Sequence, residues 1–184
     1  MIFEKYNQRV DIKSFGVAQL LRPEFLGLIF IIFFSCQKPQ TYSEIPKLEY
    51  KSFELKDTID LLDNKVKIGI LSVSFTDGDG DIGLNPSDTI YPFDTSSIYY
   101  YNLYIDVYKM QNDTFALQNL QVPLRYRIQD ITPQGQNKTL KGVISVDINY
   151  NYYENNDTFK YNIYIYDRAL HKSNIVETPA LIIE

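Results

Sequence analysis

The stretch that decides the fold is Thr158-Phe-Lys-Tyr-Asn-Ile-Tyr-Ile-Tyr166. Its odd positions, from Phe159 to Ile165, are apolar or aromatic, whereas Lys160 and Asn162 lie between them. Successive side chains of a β-strand point to opposite faces, so this alternation predicts one buried face and one face towards water. Half-buried strands of this kind are typical of antiparallel sheets.

The same alternation recurs over most of the chain after Leu48, where helical periodicity is almost absent. Between 65 and 75 the apolar phase shifts at Gly69, which predicts a β-bulge. Seven or eight strands predict an all-β fold, an immunoglobulin-like antiparallel β-sandwich, with a small closed barrel as the alternative. In chain order the predicted strands A, B, C, C′, D, E, F and G lie near 49–56, 65–76, 99–109, 114–118, 121–129, 139–149, 158–167 and 174–183.

The N-terminal segment has the pattern of an export signal. Basic residues precede an apolar run from Phe25 to Phe34, which is too short for a membrane-spanning helix of roughly 20 residues. Ser35-Cys36 follows at once and resembles a bacterial lipobox. We therefore expect a lipoprotein signal peptide in 1–35, a lipidated Cys36, a tether over 36–47 and one domain over 48–184. The alternative is a short buried helix that contains an ordinary core cysteine.

Composition restricts the function further. The chain has 184 residues and a formal net charge of −5, which argues against a nucleic-acid partner. A single cysteine excludes a disulfide framework and a Cys-based zinc site. A single histidine argues against a His-rich metal site.

Asp77-Gly-Asp79-Gly-Asp81, directly after strand B, carries the clearest chemical signal. Alternating carboxylates with intervening glycines resemble the first half of a calcium loop, and counting twelve positions from Asp77 adds Asp88. The sequence therefore predicts a Ca²⁺ site at these four aspartates, outside any EF-hand, since Ile82 stands where that motif requires glycine. The alternative is a solvated acidic turn, because Asp-Gly pairs are common turn formers.

Two further polar loops should lie near this one, because the B–C, D–E and F–G loops share one end of an immunoglobulin-type sandwich. The D–E loop contains Asn137 and Lys138, and the F–G loop contains Asp167, Arg168 and His171. These five form a possible ligand-binding or ion-pair surface. Asp167 could add a ligand to the calcium site, and Arg168 could instead neutralise its carboxylates.

The lipobox, the Asp77–Gly83 loop, Thr132–Lys138 and Tyr166–Asn174 together resemble small lipoproteins of Bacteroidota-type bacteria. Tyr166–Asn174 is also similar to the Asp-x-Ala-Gly-Asn-x-Ser ending of bacterial Ig-like repeats, with Leu170 in the place of the glycine. The resemblance implies an Ig-like domain at the outer membrane or elsewhere in the cell envelope. The lack of an acidic run after Cys36 favours the periplasmic face over the cell surface. The resemblance brings no activity with it.

We expect a non-enzymatic binding or assembly module, held to the membrane by lipid at Cys36, with an envelope protein or a glycan as its partner. One alternative is a carboxylate-based glycoside hydrolase that uses Asp79 and Asp81. Exposed aspartates on a glycine-rich turn would be poor acids for that chemistry, since desolvation is what raises a carboxyl pKa. The other alternative is a purely structural envelope component.

Overall fold

The computed structural model describes residues 40–150 and 157–184. Within these two ranges the chain contains strands and turns but no helix. Accordingly, nothing in them has the length and apolar character of a membrane-spanning helix. The signal peptide predicted for 1–35, the lipid site at Cys36 and the first residues of the tether lie outside the described residues.

Nine strands of the described ranges form two antiparallel sheets. The first sheet has the order β1-β2-β6. In the second, β3 and β7 lie at the centre, β4 and β5 both pair with β3, and β8 and β9 both pair with β7. The strands are β1 (Lys47–Ile59), β2 (Lys65–Asp77), β3 (Leu103–Gln111), β4 (Thr114–Leu117), β5 (Leu124–Tyr126), β6 (Leu140–Tyr150), β7 (Thr158–Ile165), β8 (Val176–Glu177) and β9 (Leu181–Ile182).

The all-β, antiparallel architecture predicted from the sequence is confirmed. The main differences concern length. The segment predicted as strand G is two short strands, because Thr178-Pro179 interrupts it and proline has no N–H for the ladder. Predicted strand D shrinks to three residues. Predicted strand C begins only at Leu103, and the side chain of Asn102 before it bonds to the backbone of Ile128 instead.

The core is built from the inward-facing rows of both sheets. On β2 the buried row contains Leu71, Val73 and Phe75, and on β7 it runs from Phe159 to Ile165 at alternate positions. Full burial of an apolar side chain of this size contributes about 1.5–3 kcal/mol. The core therefore anchors the ends of β2 and β7, from which the polar loops leave.

The bulge predicted at Gly69 is wrong. Strand β2 pairs with β6 without a register shift from Lys67 to Asp77, and the irregularity lies on β1 between Tyr50 and Ser52. Gly69 instead provides space, because a Cβ atom there would lie 2.4 Å from the Phe53 ring. The change of apolar phase in the sequence reflects apolar residues on both faces of a regular strand.

Candidate metal centre

Two aspartates extend the core-facing rows of strands that belong to different sheets. Asp77 follows Phe75 on the buried side of β2, and Asp167 follows Ile165 on the buried side of β7, just beyond the end of that strand. The exposed fraction is 0% for Asp77 and 2% for Asp167. The two strands therefore carry carboxylates to positions that apolar side chains occupy elsewhere in the core.

The loop after β2 folds back over Asp77. The backbone N–H of Asp81 donates to Oδ2 of Asp77 at 3.0 Å. Gly80 takes a left-handed conformation with φ +68°, which glycine adopts without a steric penalty. Ile82 then returns to the core and is 0% exposed. The tight turn at Gly80 and the buried side chain of Ile82 keep the loop folded against Asp77.

The loop after β7 closes the site from the second sheet. The backbone N–H of Ala169 donates to Oδ2 of Asp81 at 3.0 Å, and that of Arg168 donates to the Asp81 carbonyl at 3.3 Å. The His171 backbone N–H donates to Oδ1 of Asp167 at 2.7 Å, and the ring Nδ1 lies 3.0 Å from Oδ2 of Asp167. Both oxygens of Asp167 are thus in contact with His171.

The loop before β6 is the third component. A Cβ on Gly80 would lie 2.0 Å from the Lys138 carbonyl oxygen, so this backbone passes very close. The Thr139 hydroxyl donates to the Gly78 carbonyl at 3.3 Å. The prediction that the three polar loops meet at one end is confirmed. The side chains of Asn137 and Lys138 bond within their own loop, to the Thr139 N–H and the Pro133 carbonyl.

The carboxylates leave several oxygens unsatisfied. Asp77, Asp81 and Asp167 each offer one oxygen, and these three atoms lie within 4.8 Å of one another. Oδ1 of Asp77, Oδ1 of Asp79 and Oδ1 of Asp81 are buried and have no hydrogen-bond partner. Below, the acidic cluster means Asp77, Asp79, Asp81 and Asp167.

Burial and repulsion between carboxylates raise the pKa of Asp77, Asp81 and Asp167. Desolvation, followed by the charges of Asp79, Asp81 and Asp167, raises the pKa of Asp77 to about 7. Desolvation and the charges of Asp167 and Asp79 raise the pKa of Asp81 to about 6. Burial also raises the pKa of Asp167. The expectation of an exposed, unperturbed aspartate on this turn is therefore wrong for Asp81.

Little positive charge reaches the cluster. Among the described residues, His171 provides the one ion pair to it, and hydrogen bonding to Asp167 raises the pKa of that imidazole. The guanidinium of Arg168, which could have neutralised the cluster, pairs with Asp88 instead. The site therefore concentrates more negative charge than the protein itself balances.

Asp88, predicted as a metal ligand, has a different environment. Besides Arg168, its carboxylate accepts the Asn85 backbone N–H at 2.8 Å. Burial acts to raise its pKa, but the hydrogen bonds from Arg168 and Asn85 prevail and lower it. The structure therefore brings together Asp77, Asp79, Asp81 and Asp167, while Asp88 links the loop after the cluster to Arg168.

One contributor to the site was missed from the sequence. The Gly78 N–H donates to the Ser43 carbonyl at 2.8 Å, and a Cβ on Gly78 would lie 2.4 Å from the Tyr42 carbonyl oxygen. The compact unit starts at Thr41, so residues assigned to the tether lie against the loop that follows β2. Backbone contacts of this kind leave no signal in side-chain pattern.

The arrangement suits a hard cation. Carboxylate oxygens that share a Ca²⁺ ion at about 2.3–2.6 Å lie up to about 5 Å apart, which matches the spacing of the cluster. Partnerless buried oxygens cost free energy unless something binds them. Comparison with known proteins finds no matching family model, no matching curated protein and no matching solved structure.

Proposed function

We propose that this protein is a non-enzymatic binding or assembly module of the bacterial cell envelope, anchored by lipid at Cys36 and ordered by calcium at the acidic cluster. The observation that carries the metal assignment is Asp77. Its side chain is 0% exposed, yet Oδ1 has no partner and the nearest charged groups are other carboxylates. A bound cation removes both penalties at once.

Calcium is the favoured cation because of the donor set. The cluster offers carboxylate oxygens from two loops, and Ca²⁺ takes six to eight oxygen ligands in irregular geometry. Zinc prefers nitrogen and sulfur, and the one described imidazole, His171, has its Nδ1 against Asp167. Magnesium demands near-octahedral geometry and retains several waters, which a buried carboxylate such as Asp77 does not favour.

The strand order supports the immunoglobulin-like sandwich. With the labels of the sequence prediction, the sheets are A-B-E and C′-C-F-G, which follows the division of strands in that architecture. One strand differs from the immunoglobulin arrangement. Strand D (β5) pairs with strand C (β3), whereas in immunoglobulin domains strand D lies beside strand E. In this fold the three loops around the cluster form one end of the domain, a usual place for binding surfaces.

The lipid anchor and envelope location rest on the sequence of residues 25–36. The described structure adds that the chain reaches the folded unit at Thr41 and touches the metal loop at Ser43. Few residues separate Cys36 from this contact. The partner is an envelope protein or a glycan.

A carboxylate-based hydrolase is the second candidate, because the raised pKa of Asp77 and of Asp81 is a property that a general acid needs. Burial argues against it, since Asp77 exposes no surface to a substrate. Hydrolysis of aryl glycosides by the wild type, abolished in Asp81→Asn, would favour the enzyme. We expect no such activity.

Thermal unfolding in calcium and in excess EDTA tests the proposal. A free calcium concentration about 100-fold above the Kd of the site adds about 2.7 kcal/mol to the free energy of unfolding. For a domain of this size that raises Tm by about 5–10 °C. We expect Asp77→Asn to lose this shift and Asp88→Asn to retain it. An identical Tm in calcium and EDTA would contradict the metal site, and an equal response to magnesium would contradict the assignment to calcium.

A further inference from the structure

The two edges of the β1-β2-β6 sheet are protected to different degrees. On β1 a bulge interrupts the strand between Tyr50 and Ser52, and the Asn174 side chain bonds to both the N–H and the carbonyl of Leu48, at 2.8 and 2.9 Å. Bulges and covering groups are the means by which sheets avoid edge-to-edge pairing. The β1 edge is thus blocked near its start.

The β6 edge has neither protection. Strand β6 pairs with β2 in continuous register, and between Leu140 and Asn149 no backbone group bonds to any other described segment. Beside it lies a groove of about 420 Å³, lined by Ile144 and Val146 from β6, by Tyr126 from β5 and by Ile128 just after β5. Arg127, Ser145 and Asp147 supply polar groups to the same groove. An open row of N–H and C=O groups next to apolar side chains is a template for another strand.

The charges along this edge are self-complementary. Lys141 and Asp147 are both exposed, and neither forms an ion pair with any described residue. The Lys141 ammonium donates to the Tyr42 hydroxyl and lies over its ring, 3.8 Å from the centroid, so the lysine keeps its charge without a carboxylate partner. Lys141 and Asp147 lie three residues to either side of Ile144. An antiparallel copy of β6 centred on Ile144 therefore places each Lys141 opposite the second copy's Asp147. Shifting the centre by one residue, to Val143 or Ser145, removes both pairings.

We propose that β6 is a homodimer edge, on which a second copy of this chain pairs its own β6 in the register centred on Ile144. The two three-stranded sheets then form one continuous sheet. On the inner side Ile144 meets its counterpart, and Gly142 lies opposite the second copy's Val146. On the outer side the two Lys141–Asp147 pairs fix the register, since like charges opposite each other destabilise a sheet. This inference is independent of the calcium site.

Sedimentation equilibrium of the full chain in density-matched detergent tests the dimer. We expect a concentration-dependent dimer mass for the wild type. Lys141→Glu alone and Asp147→Lys alone each place like charges opposite each other at two positions, and we expect each to weaken the dimer about tenfold. The double variant restores both pairs with reversed sign, and we expect it to recover the wild-type dimer.

Lys51→Glu on the β1 edge is the matched control, because it makes the same charge change on the other edge of the same sheet. It should leave the dimer constant unchanged. Circular dichroism identifies any single variant that does not fold. In that case the dimer constant of the double variant alone tests the register. A monomer at every concentration overturns the proposal and leaves the β6 edge to a strand of another protein. A dimer that both β6 reversals leave intact, or that the double variant fails to recover, also overturns it.

Discussion

Asp77 and Asp167 occupy equivalent positions in opposite sheets, each two residues beyond a buried apolar side chain and each directed into the core. One oxygen from each lies within 4.8 Å of the other. Burial raises the pKa of both carboxyls, and at Asp77 the charges of Asp79, Asp81 and Asp167 raise it further. In the calcium-bound state proposed above, a cation offsets this cost and links the two sheets.

The first prediction concerns the protein without metal. In EDTA at pH 8, Asp77→Asn removes a buried charge from the cluster, and we expect it to raise the free energy of unfolding by about 1 kcal/mol. In saturating calcium the same variant should be less stable than the wild type. Urea titrations under both conditions measure the crossover. A variant less stable than the wild type in EDTA as well would show that Asp77 has a structural role unrelated to charge.

The second prediction is a pH dependence. Folding raises the pKa of Asp77 from 3.8 to about 7, so between these values the folded state binds more protons than the unfolded state. In EDTA, the contribution of Asp77 to the free energy of unfolding is therefore at its maximum below pH 4. It decreases as the pH rises to about 7. We expect a loss of about 1–3 kcal/mol over that range. His171, whose pKa is also raised, contributes in the same direction.

Calcium should reverse this trend, because protons and the metal compete for the same oxygens. The stabilisation by calcium is expected to grow between pH 5 and pH 8. Asp77→Asn should flatten both curves. Chemical unfolding at a series of pH values, with and without EDTA, measures this. A calcium effect that is independent of pH would place the ion at other oxygens.

The third prediction separates the Arg168–Asp88 pair from the metal site. Both side chains are partly buried, so Arg168→Ala leaves Asp88 without its charged partner. We expect a loss of about 1–2 kcal/mol. A double-mutant cycle with Asp88→Asn should give a coupling energy of about 1 kcal/mol. The Tm shift on adding calcium should persist in both single variants, whereas its loss in Asp88→Asn would make Asp88 a ligand.

The fourth prediction compares two glycines. Gly80 has φ +68°, and an added Cβ would lie 2.0 Å from the Lys138 carbonyl oxygen. Gly80→Ala should therefore cost at least about 2 kcal/mol and weaken calcium binding. Gly135 has no atom within 4 Å of its added Cβ, so Gly135→Ala should change stability by less than about 0.5 kcal/mol. Equal effects of the two substitutions would contradict the close approach of these loops.

The sequence predicts the two sheets well because period-two alternation is a strong signal over strands as long as β6 and β7. The sequence also predicts that the three polar loops meet, because the order of the strands along the chain decides which loops lie at the same end. The buried state of Asp77 and Asp167 could also have been read from it. Asp77 continues the buried odd positions 71, 73 and 75 of β2. Asp167 continues the buried odd positions 159, 161, 163 and 165 of β7.

The remainder depends on contacts between distant segments. Whether Arg168 pairs with Asp88 or with the cluster is decided by where two loops lie, and local pattern contains no such information. The hydrogen bond between the Gly78 N–H and the Ser43 carbonyl likewise joins segments that are distant in the sequence, so local pattern could not predict it. Leu170 is a further example: it takes φ +69°, a left-handed conformation that leucine rarely adopts. Its neighbours, bonded to Asp81 and Asp167, hold it there.

The hydrogen bond from Gly78 to Ser43 has a mechanical consequence. Tension applied at Thr41 reaches Ser43 before it reaches β1, so it acts first on the loop after β2, to which Ser43 is hydrogen-bonded. Strand β1 continues from Lys47 in antiparallel pairing with β2, which starts opposite Thr76 beside the same loop. Tension between Thr41 and the loop after β2 would therefore separate the β1–β2 pairs one after another, starting from Lys47 and Thr76. The proposed cation between Asp77 and Asp167 would hold the loop after β2 to the second sheet, so its removal is expected to lower the force at which this loop yields.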